Sequence, residues 1–188
     1  MKEQFFLHGP RVGLRPLRPD DADGPYPHWL NDDEVCQFNG HHVFPYDRVQ
    51  ALAFIEAARG NRREIVLAMV VEGAHVGNVA LQAIHTVNRS AEFAILIGDR
   101  RCWGQGFGHE AGMLLLDHGF AALGLQRIGC GTTEDNVGMQ RLATKMGMRE
   151  EGRRRQAAWK RGRFVDVIEY GVLVSEFRDH NKALGSRA

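Results

Sequence analysis

The sequence predicts an α+β fold built on one mixed, mostly antiparallel sheet. Strand patterns over residues 64–71, 75–85 and 91–97 follow one another with only short turns between them, which favours antiparallel pairing. A glycine-rich turn, a helix, a further strand and a second helix come next, and the chain ends in a hairpin pattern. Because strands and helices do not alternate regularly, a doubly wound parallel sheet is not expected.

The first third of the chain predicts one strand, short helical turns and one longer helix. Residues 11–17 form a strand pattern, and helical turns among prolines and acidic residues follow up to about residue 34. Residues 38–46 are rich in turn formers and aromatic residues, which indicates a loop that could overhang a pocket. Asp47 is the expected N-cap of a helix that runs to Gly60.

The three central strands are separated by turn signals. Glu72 and Gly73 mark a hairpin turn, and Gly77 indicates a bulge early in the next strand. Residues 87–89 then turn the chain into the central strand over 91–97. Residues 64–71 are almost wholly apolar, which predicts a buried strand.

The stretch 90–111 has the pattern of an anion site. A strand is followed by glycine-rich residues 101–108 and then by a predicted helix over 110–123, which Gly124 ends. Glycines let a ligand approach the backbone closely, and the free N–H groups and dipole of a helix N-terminus favour negative charge. We therefore expect this stretch to hold the pyrophosphate of a cofactor.

The C-terminal part continues with smaller elements. A strand is predicted over 127–132, an amphipathic helix over 136–146 and a hairpin over 153–173. One domain over 1–188 is expected, with a frayed polar tail over about 178–188.

Bulk composition excludes several function classes. A net charge of +1 gives no sign of a nucleic-acid or membrane-surface partner. Three widely separated cysteines without a CxxC pair indicate neither a disulfide framework nor a zinc site, so no metal is expected. No segment has the length and apolar character of a signal peptide or a membrane span, which makes the cytoplasm the default compartment.

Several short motifs follow one another along the chain. The glycine-rich turn reads Arg101-Cys102-Trp103-Gly104-Gln105-Gly106, and a predicted helix begins at Asn136 and ends in Lys145-Met146-Gly147-Met148. Together with the opening LRPLRPDDAD and the terminal hairpin, these motifs resemble the GNAT superfamily of N-acetyltransferases, in the branch of the ribosomal-protein N-terminal acetyltransferases and their small-molecule relatives. The family's central motif is Gln/Arg-x-x-Gly-x-Gly/Ala, and its second is an Asn followed by a helix ending Lys-x-Gly-Phe, where this chain has Met148 in place of Phe. The resemblance covers nearly the whole chain.

The resemblance implies an acetyl-CoA-dependent enzyme whose central strand splays from its neighbour to admit the pantetheine arm. The backbones of Leu96 and Ile97 would then pair with pantetheine, and N–H groups from Cys102 to Gly108 would hold the pyrophosphate. Asn136 would line the arm. The full expected cofactor set is Leu96, Ile97, Arg101, Cys102, Trp103, Gly104, Gln105, Gly106, Phe107, Gly108, Asn136 and Lys145.

Glu92 is the candidate catalytic base, because it is the only charged residue in the apolar central strand. The alternative for Glu92 is an exposed strand position or an ion pair with Arg89. The family's usual acid positions hold Ala143 instead of Tyr and Met139 instead of Ser, so the general acid is unassigned. We expect Cys130 to pack in the core.

The acceptor site is expected to involve the aromatic loop. Asn39, His41, His42 and Tyr46 could bind the acceptor, and His85 could face the same cleft; the alternative is a loop packed by its phenylalanines with solvated histidines. The favoured acceptor is a small primary amine such as an amino sugar. A peptide or protein N-terminus is the second choice, and a non-catalytic CoA-binding module is a third reading. Dimers are common in this branch, so the resemblance leaves a homodimer open.

Overall fold

The computed structural model describes residues 4–185, which form one eight-stranded sheet with helices on both faces. The strand order is β1-β2-β3-β4-β5-β6-β8-β7, and among the described pairs only β5 and β6 run parallel. This confirms the expected α+β class with a mostly antiparallel sheet. The strands are β1 Leu7–His8, β2 Val12–Pro16, β3 Ile65–Val71, β4 Ala74–His85, β5 Ser90–Ile97, β6 Arg127–Thr133, β7 Arg149–Lys160 and β8 Arg163–Leu173.

The helices divide between the two faces of the sheet. They are α1 Tyr26–Trp29, α2 Arg48–Gly60, α3 Phe107–Ala121, α4 Val137–Lys145 and α5 Val174–Gly185, with short 3-10 helices at Pro19–Asp23 and Arg100–Cys102. One apolar cluster joins the sheet to α3, α4 and Phe177 of α5, and a second joins it to α1 and α2. We call these the α3 face and the α2 face. No helix among residues 4–185 combines the length and apolar character that crossing a membrane requires.

The turns between strands follow the sequence signals closely. Glu72 and Gly73 both have positive φ and form the β3–β4 hairpin turn. Asp47 caps α2 by accepting from the N–H groups of Val49 and Gln50. The register of β3 against β4 skips one residue beside Gly77, so the expected bulge is present there.

Two expectations differ from the structure at helix boundaries. Helix α3 begins at Phe107 rather than Glu110, because left-handed Gly106 takes the N-cap position without any polar capping side chain. The chain from Val174 to Gly185 is helical where a frayed tail over 178–188 was expected. Phe177 packs against Phe120, and the His180 ring lies 2.9 Å from the Lys145 carbonyl oxygen, which ties this helix to α3 and α4. Residues 186–188 lie outside the described part of the chain.

The strands β5 and β6 separate from one another after a short contact. Their parallel register covers Ser90 with Arg127, Ala91 with Ile128 and Glu92 with Gly129. On its other side β5 stays paired with β4 as far as Ile97. The second half of β5 therefore borders an opening in the sheet.

Candidate active site

The opening between β5 and β6 leads into a cavity of about 570 Å³. The second half of β5 forms one wall, and the end of β6 with α4 forms the other. The cavity extends past the glycine-rich turn to the N-terminus of α3. Its lining residues include Glu34, Val35, Phe38, Asn39, Phe93, Ala94, Ile95, Leu96, Ile97, Cys102, Trp103, Gly104, Gly106, Gly108, His109, Gly131, Thr132, Asn136, Met139, Leu142 and Lys145.

Main-chain groups of β5 point alternately to β4 and to the opening. The N–H of Gly98 donates to the carbonyl of Val76, which is a hydrogen-bonded position of the β4–β5 pair. By the alternation of an antiparallel ladder, Leu96 also pairs its main chain with β4, whereas Ile95 and Ile97 present theirs to the opening. The indole N–H of Trp103 donates to the carbonyl of Ile97 at 2.8 Å on that side.

This alternation corrects the expectation for Leu96. A Cβ on Gly77 of β4 would lie 2.3 Å from the Leu96 carbonyl oxygen, so that carbonyl is directed toward β4. Leu96 lines the cavity but does not offer its main chain there. Ile95, which we did not select from the sequence, takes that place beside Ile97.

The glycine-rich turn leaves a row of amide groups without backbone partners. Gly104 and Gly106 have φ of +72° and +85°, a conformation that glycine adopts without the strain other residues incur. Within residues 4–185, no backbone acceptor is found for the N–H groups of residues 104–109. The first helical bond runs from the N–H of Glu110 to the carbonyl of Gly106 at 3.1 Å. Free amides at a helix N-terminus, reached through glycine, suit an anionic group.

The amides of Cys102 and Trp103 are used inside the turn itself. The N–H of Cys102 donates to Asp99, and that of Trp103 donates to Arg100, at 2.9 and 3.1 Å. The first two amides of the expected pyrophosphate-binding range, Cys102 to Gly108, are therefore already hydrogen-bonded, and the free amides begin at Gly104. Both side chains nevertheless line the cavity.

Unlike Cys102 and Trp103, three other members of the expected cofactor set do not line the cavity with their side chains. Arg101 is 89% exposed and pairs with Asp99 at 2.7 Å. The side-chain amide of Gln105 donates to the carbonyl of Arg101. The ring of Phe107 is buried, so this residue offers the site only its main chain. Their distance from the cavity follows from local contacts that residue type alone does not reveal.

Asn136 and Lys145 mark the two ends of α4 in the cavity wall. The Oδ1 atom of Asn136 accepts from the N–H of Met139 at 3.1 Å and so caps the helix. The carbonyl of Lys145 lies 3.2 Å from the His109 ring on α3, which joins the two helices at the anion site. Both expected residues lie in the cavity lining.

Glu92 lies where β5 leaves β6, on the α2 face of the sheet. Its neighbour Phe93 packs toward α3, near Gly112, so Glu92 points the other way. Glu92 is exposed, and the alternative ion pair with Arg89 is absent: the guanidinium of Arg89 donates to the carbonyl of Gly124 at 2.6 Å. The Glu92 carboxylate therefore stands at the end of the opening, one residue before the part of β5 that lines the cavity.

A second carboxylate lies across a floor of glycine. Gly129 is the register partner of Glu92, and Gly131, two residues along β6, is the partner of Glu169 on β8. A Cβ on Gly131 would lie 3.1 Å from the Glu169 carboxylate, so Glu169 leans over the glycine. Arg154 pairs with Glu169 from β7 at 2.5 Å. The α2 face of the opening thus carries two acidic groups above a backbone surface.

The aromatic loop contributes less than expected. Asn39 lines the cavity, but His41 and His42 are exposed outside it, with the His41 N–H bound to the Asn39 side chain at 2.8 Å. Tyr46 packs edge-on against Tyr26, with ring centroids 6.2 Å apart, rather than facing the cavity. The expectation of acceptor contact for His41, His42 and Tyr46 is thus not met by the cavity lining.

His85 is also outside the cavity. Its Nδ1 atom accepts from the N–H of Asn88 at 3.0 Å, opposite Ser90 at the β4–β5 turn. The side chain closes that turn, which is the opposite end of β5 from the glycine-rich loop. Its expected place in the acceptor cleft is therefore not supported.

The loop that follows α1 is tied to the β7–β8 hairpin. The ammonium of Lys160 donates to the carbonyl of Asn39, and Arg161 lies 3.6 Å from Asp33. Glu34, Val35 and Phe38 of this loop line the cavity. These residues carry no motif, and only the tertiary arrangement identifies them.

The two positions where the family usually has its general acid, 143 and 139, hold no hydroxyl group in this chain. Ala143 is fully buried and Met139 lines the cavity as an apolar side chain. The hydroxyl of Thr144 donates to the carbonyl of Gln140 within α4. Burial, with Glu169 and Glu92 nearby, raises the pKa of the Cys130 thiol to about 12, and the side chain packs in the core as expected. The described residues contain no cluster of three or more His, Cys, Asp or Glu arranged to hold a metal ion.

Comparisons with known proteins identify sequences and structures that are similar to this chain. The sequence model of the acetyltransferase (GNAT) domain matches residues 11–149. The uncharacterized N-acetyltransferase p20 of Bacillus licheniformis is 29% identical over 179 residues, covering 91% of this chain and 97% of that protein. The spermidine N(1)-acetyltransferase of Escherichia coli K12 is 26% identical over 183 residues, covering 93% and 92%.

Solved structures share the fold at low sequence identity. Mycobacterium smegmatis RimJ in complex with CoA-disulfide has a TM-score of 0.81 at 22% identity and covers 93% of this chain and 89% of its own. Vibrio cholerae spermidine N-acetyltransferase in complex with CoA and spermine has a TM-score of 0.82 at 23% identity, covering 90% and 99%.

Proposed function

The chain belongs to the GNAT family of N-acetyltransferases, and on that premise we propose that it transfers an acetyl group from acetyl-CoA to a small, cationic primary amine. The observation that carries this proposal is the opening between β5 and β6, which leads from a carboxylate at Glu92 to the free amides of the α3 N-terminus. A peptide-like arm with an anionic end matches both parts of that cavity.

The residues of the cavity fit the parts of CoA. The main-chain groups of Ile95 and the N–H of Ile97 face the opening and suit the amides of pantetheine, since extended peptide-like groups add to an exposed strand edge by backbone hydrogen bonds. The amides of residues 104–109 suit the pyrophosphate. Asn136 and Lys145 line the path between these groups. Acetyl-CoA supplies the activated thioester.

Glu92 is the proposed base. An alkyl ammonium has a pKa near ~10, so the acceptor amine must lose a proton before it can attack a carbonyl carbon. The Glu92 carboxylate, directly or through one water, takes that proton. The new C–N bond forms as the C–S bond breaks, and the second proton on the attacking nitrogen neutralises the departing thiolate.

This route needs no side-chain acid. Ala143 and Met139 cannot donate a proton, and Cys130 is buried in the core. A thiolate is a tolerable leaving group, and holding the two reactants together supplies much of the rate. The absence of the family's usual Tyr and Ser is therefore compatible with turnover.

Two features of the α2 face support a small cationic acceptor. Glu92 and Glu169 both face the glycine floor of β6, where they would attract an ammonium group. The contact of Lys160 with Asn39 ties the cavity-lining loop to the β7–β8 hairpin, so the loop is held beside the cavity where a small acceptor would bind. Amino sugars, our expectation from the sequence, and polyamines both satisfy this chemistry.

Polyamines are the second candidate, and a specific observation favours them. Glu92 on β5 and Glu169 on β8 lie opposite Gly129 and Gly131 of β6, so one ammonium group of a multiply charged chain would meet Glu92 while a second would compete with Arg154 for Glu169. The relatives include a spermidine N(1)-acetyltransferase of Escherichia coli that is 26% identical to this chain. The cytoplasmic location and the homodimer stay predictions.

The test is a free-thiol release assay with acetyl-CoA and a matched panel of acceptors. The panel contains glucosamine, spermidine, a short peptide with a free N-terminus, and an acidic amine such as aspartate. We expect turnover with glucosamine or spermidine, little with the peptide and least with aspartate. CoA binding without turnover of any amine would contradict the proposal, and preference for the peptide would favour the protein N-terminal alternative.

A further inference from the structure

Arg11 lies between β1 and β2, nearly a hundred residues before the glycine-rich turn. It nevertheless contacts three residues of that turn and of the first turn of α3. Its Nη1 atom donates to the carbonyl of Gln105 at 3.1 Å. Its Nε atom and its backbone N–H donate to the two oxygens of Glu110 at 3.1 and 2.8 Å. Its guanidinium also lies 4.8 Å from the centre of the Phe107 ring.

The contact with Gln105 sets the direction of the turn. A peptide carbonyl held on the Arg11 side directs the following N–H, that of Gly106, the other way, since the two groups of one peptide plane are opposed. Gly106 has no capping side chain, and its left-handed backbone brings its Cβ position within 3.4 Å of the Nη2 atom of Arg11. The guanidinium therefore braces the residue at which the helix begins.

The contact with Glu110 removes a charge problem. Glu110 lies in the first turn of α3, where its carboxylate would repel an anion bound at the same helix end. The Arg11 and Val12 amides and the Arg11 guanidinium draw it toward the β1–β2 turn. Burial alone would raise the pKa of Glu110, but these hydrogen bonds outweigh it and lower the pKa, so the carboxylate stays ionised and neutralised by Arg11.

We propose that Arg11 is a positioning residue for the pyrophosphate of acetyl-CoA: it orients the Gln105–Gly106 peptide and neutralises Glu110 at the N-terminus of α3. This inference rests on the proposed function. Arg11 also borders an open groove that shares Gly106, His109 and Lys145 with the cavity lining, so the groove continues from the cavity past Gly106.

The test compares Arg11→Ala with two acetyl donors. Acetyl-CoA carries the pyrophosphate and acetyl-pantetheine does not. With acetyl-CoA we expect KM to rise roughly 10-fold with kcat changed less than about twofold, because a charge-assisted hydrogen-bond network is lost from binding. With acetyl-pantetheine we expect the wild-type and variant values to coincide. Arg59→Ala removes an arginine of similar exposure from α2 and should match the wild type with both donors.

A double variant separates positioning from simple support of the fold. Arg11→Ala with Glu110→Gln removes the uncompensated charge and should regain part of the lost acetyl-CoA affinity, the rest being lost with the Gln105 contact; if the loss came from a damaged fold, the second substitution would weaken binding further. Arg11→Lys keeps the positive charge but loses the planar set of guanidinium N–H donors. Its KM for acetyl-CoA should lie between those of the wild type and Arg11→Ala. Thermal unfolding of each variant shows whether it is folded under the assay conditions.

Equal losses with both donors, or no rescue in the double variant, would overturn the role of Arg11. So would an unchanged KM for acetyl-CoA in Arg11→Ala. These results differ from failure of the proposed function, in which the wild-type protein itself would neither bind CoA nor release thiol.

Discussion

Glu92 and Gly129 form the last register pair that holds β5 beside β6. Beyond this pair the strands separate, and the cavity begins at the next residues of β5. A carboxylate thus stands at the closed end of the opening, opposite a residue without a side chain. The proposed chemistry depends on this placement, because an acceptor amine reaches both Glu92 and the opening from the α2 face.

Replacing Glu92 tests its role as base. Glu92→Gln keeps the shape of the side chain but cannot accept a proton, so kcat should fall roughly 100-fold. The limb of the kcat/KM profile that rises with pH should disappear or move. Glu150→Gln is the matched control, since Glu150 is exposed on β7 beside Tyr170, one register position from Glu169. A pH–rate profile for Glu92→Gln that overlays the wild type would remove Glu92 as base.

Replacing Glu169 tests acceptor selection. In Glu169→Gln the floor of β6 loses the carboxylate opposite Gly131, so KM for spermidine should rise by about 5- to 10-fold, the effect of one charged contact. The KM for a singly charged amine such as glucosamine should change less, and KM for acetyl-CoA should stay constant. Steady-state kinetics with both acceptors checks this. An equal rise in KM for the two acceptors would show that Glu169 does not bind the second ammonium group of spermidine.

Replacing Gly106 tests the anion site. Gly106→Ala places a Cβ on a left-handed residue, which costs about 1–2 kcal/mol in the required conformation. We expect weaker CoA binding by isothermal titration, with a drop of roughly 10-fold, and no change for pantetheine. Gly152→Ala on β7 is the control, because no heavy atom lies within 4 Å of its Cβ position and its φ is not positive. CoA affinity that survives Gly106→Ala would place the pyrophosphate elsewhere.

A buried ion pair under α1 predicts how stability depends on pH. Asp21 accepts from both Nη atoms of Arg15 at 2.7 and 2.8 Å and from the N–H of Arg18. Burial alone would raise the pKa of Asp21, but these bonds and the neighbouring His75 outweigh it and hold the pKa well below the ordinary value. The stabilisation is therefore present above the unfolded-state pKa of ~3.9 and is lost as pH falls toward the lower folded-state value.

Asp21→Asn should accordingly lower the free energy of unfolding by about 3 kcal/mol at neutral pH, because the buried bidentate ion pair between Asp21 and Arg15 is lost. The difference from wild type should shrink below about pH 4. Urea denaturation at several pH values measures both effects. Asp23→Asn breaks the exposed pair with Arg48 and should change the free energy of unfolding far less than Asp21→Asn does, because solvent screens an exposed pair. A difference that grows on acidification would contradict the assigned sign.

The elements near the site were predictable because their signals are local. The strand over 91–97, the glycine turn and the capped helix at Asn136 follow from patterns within a few residues, and the structure has all three. The choice between Leu96 and Ile95 for the exposed main chain was not predictable. It depends on which residues of β4 pair with β5, and a sequence of apolar residues does not encode that register.

Long-range contacts account for the remaining differences. Arg11 and Glu110 lie far apart in the chain, and no pattern in either segment points to the other. Helix α5 was missed because its polar residues suggested a free tail, whereas one buried side chain, Phe177, anchors it to α3. His85 and Tyr46 have chemically suitable side chains, but a turn and a neighbouring ring occupy them.

The most direct test of the central claim is amide exchange of β5 measured by NMR with and without CoA. Leu96 is already paired with β4, so its exchange should change little. The amides of Ile95 and Ile97 face the opening and should become protected on CoA addition, together with those of residues 104–108. Protection of the glycine turn and of both isoleucines is the predicted result; CoA binding that leaves Ile95 and Ile97 unprotected would contradict the placement of pantetheine between β5 and β6.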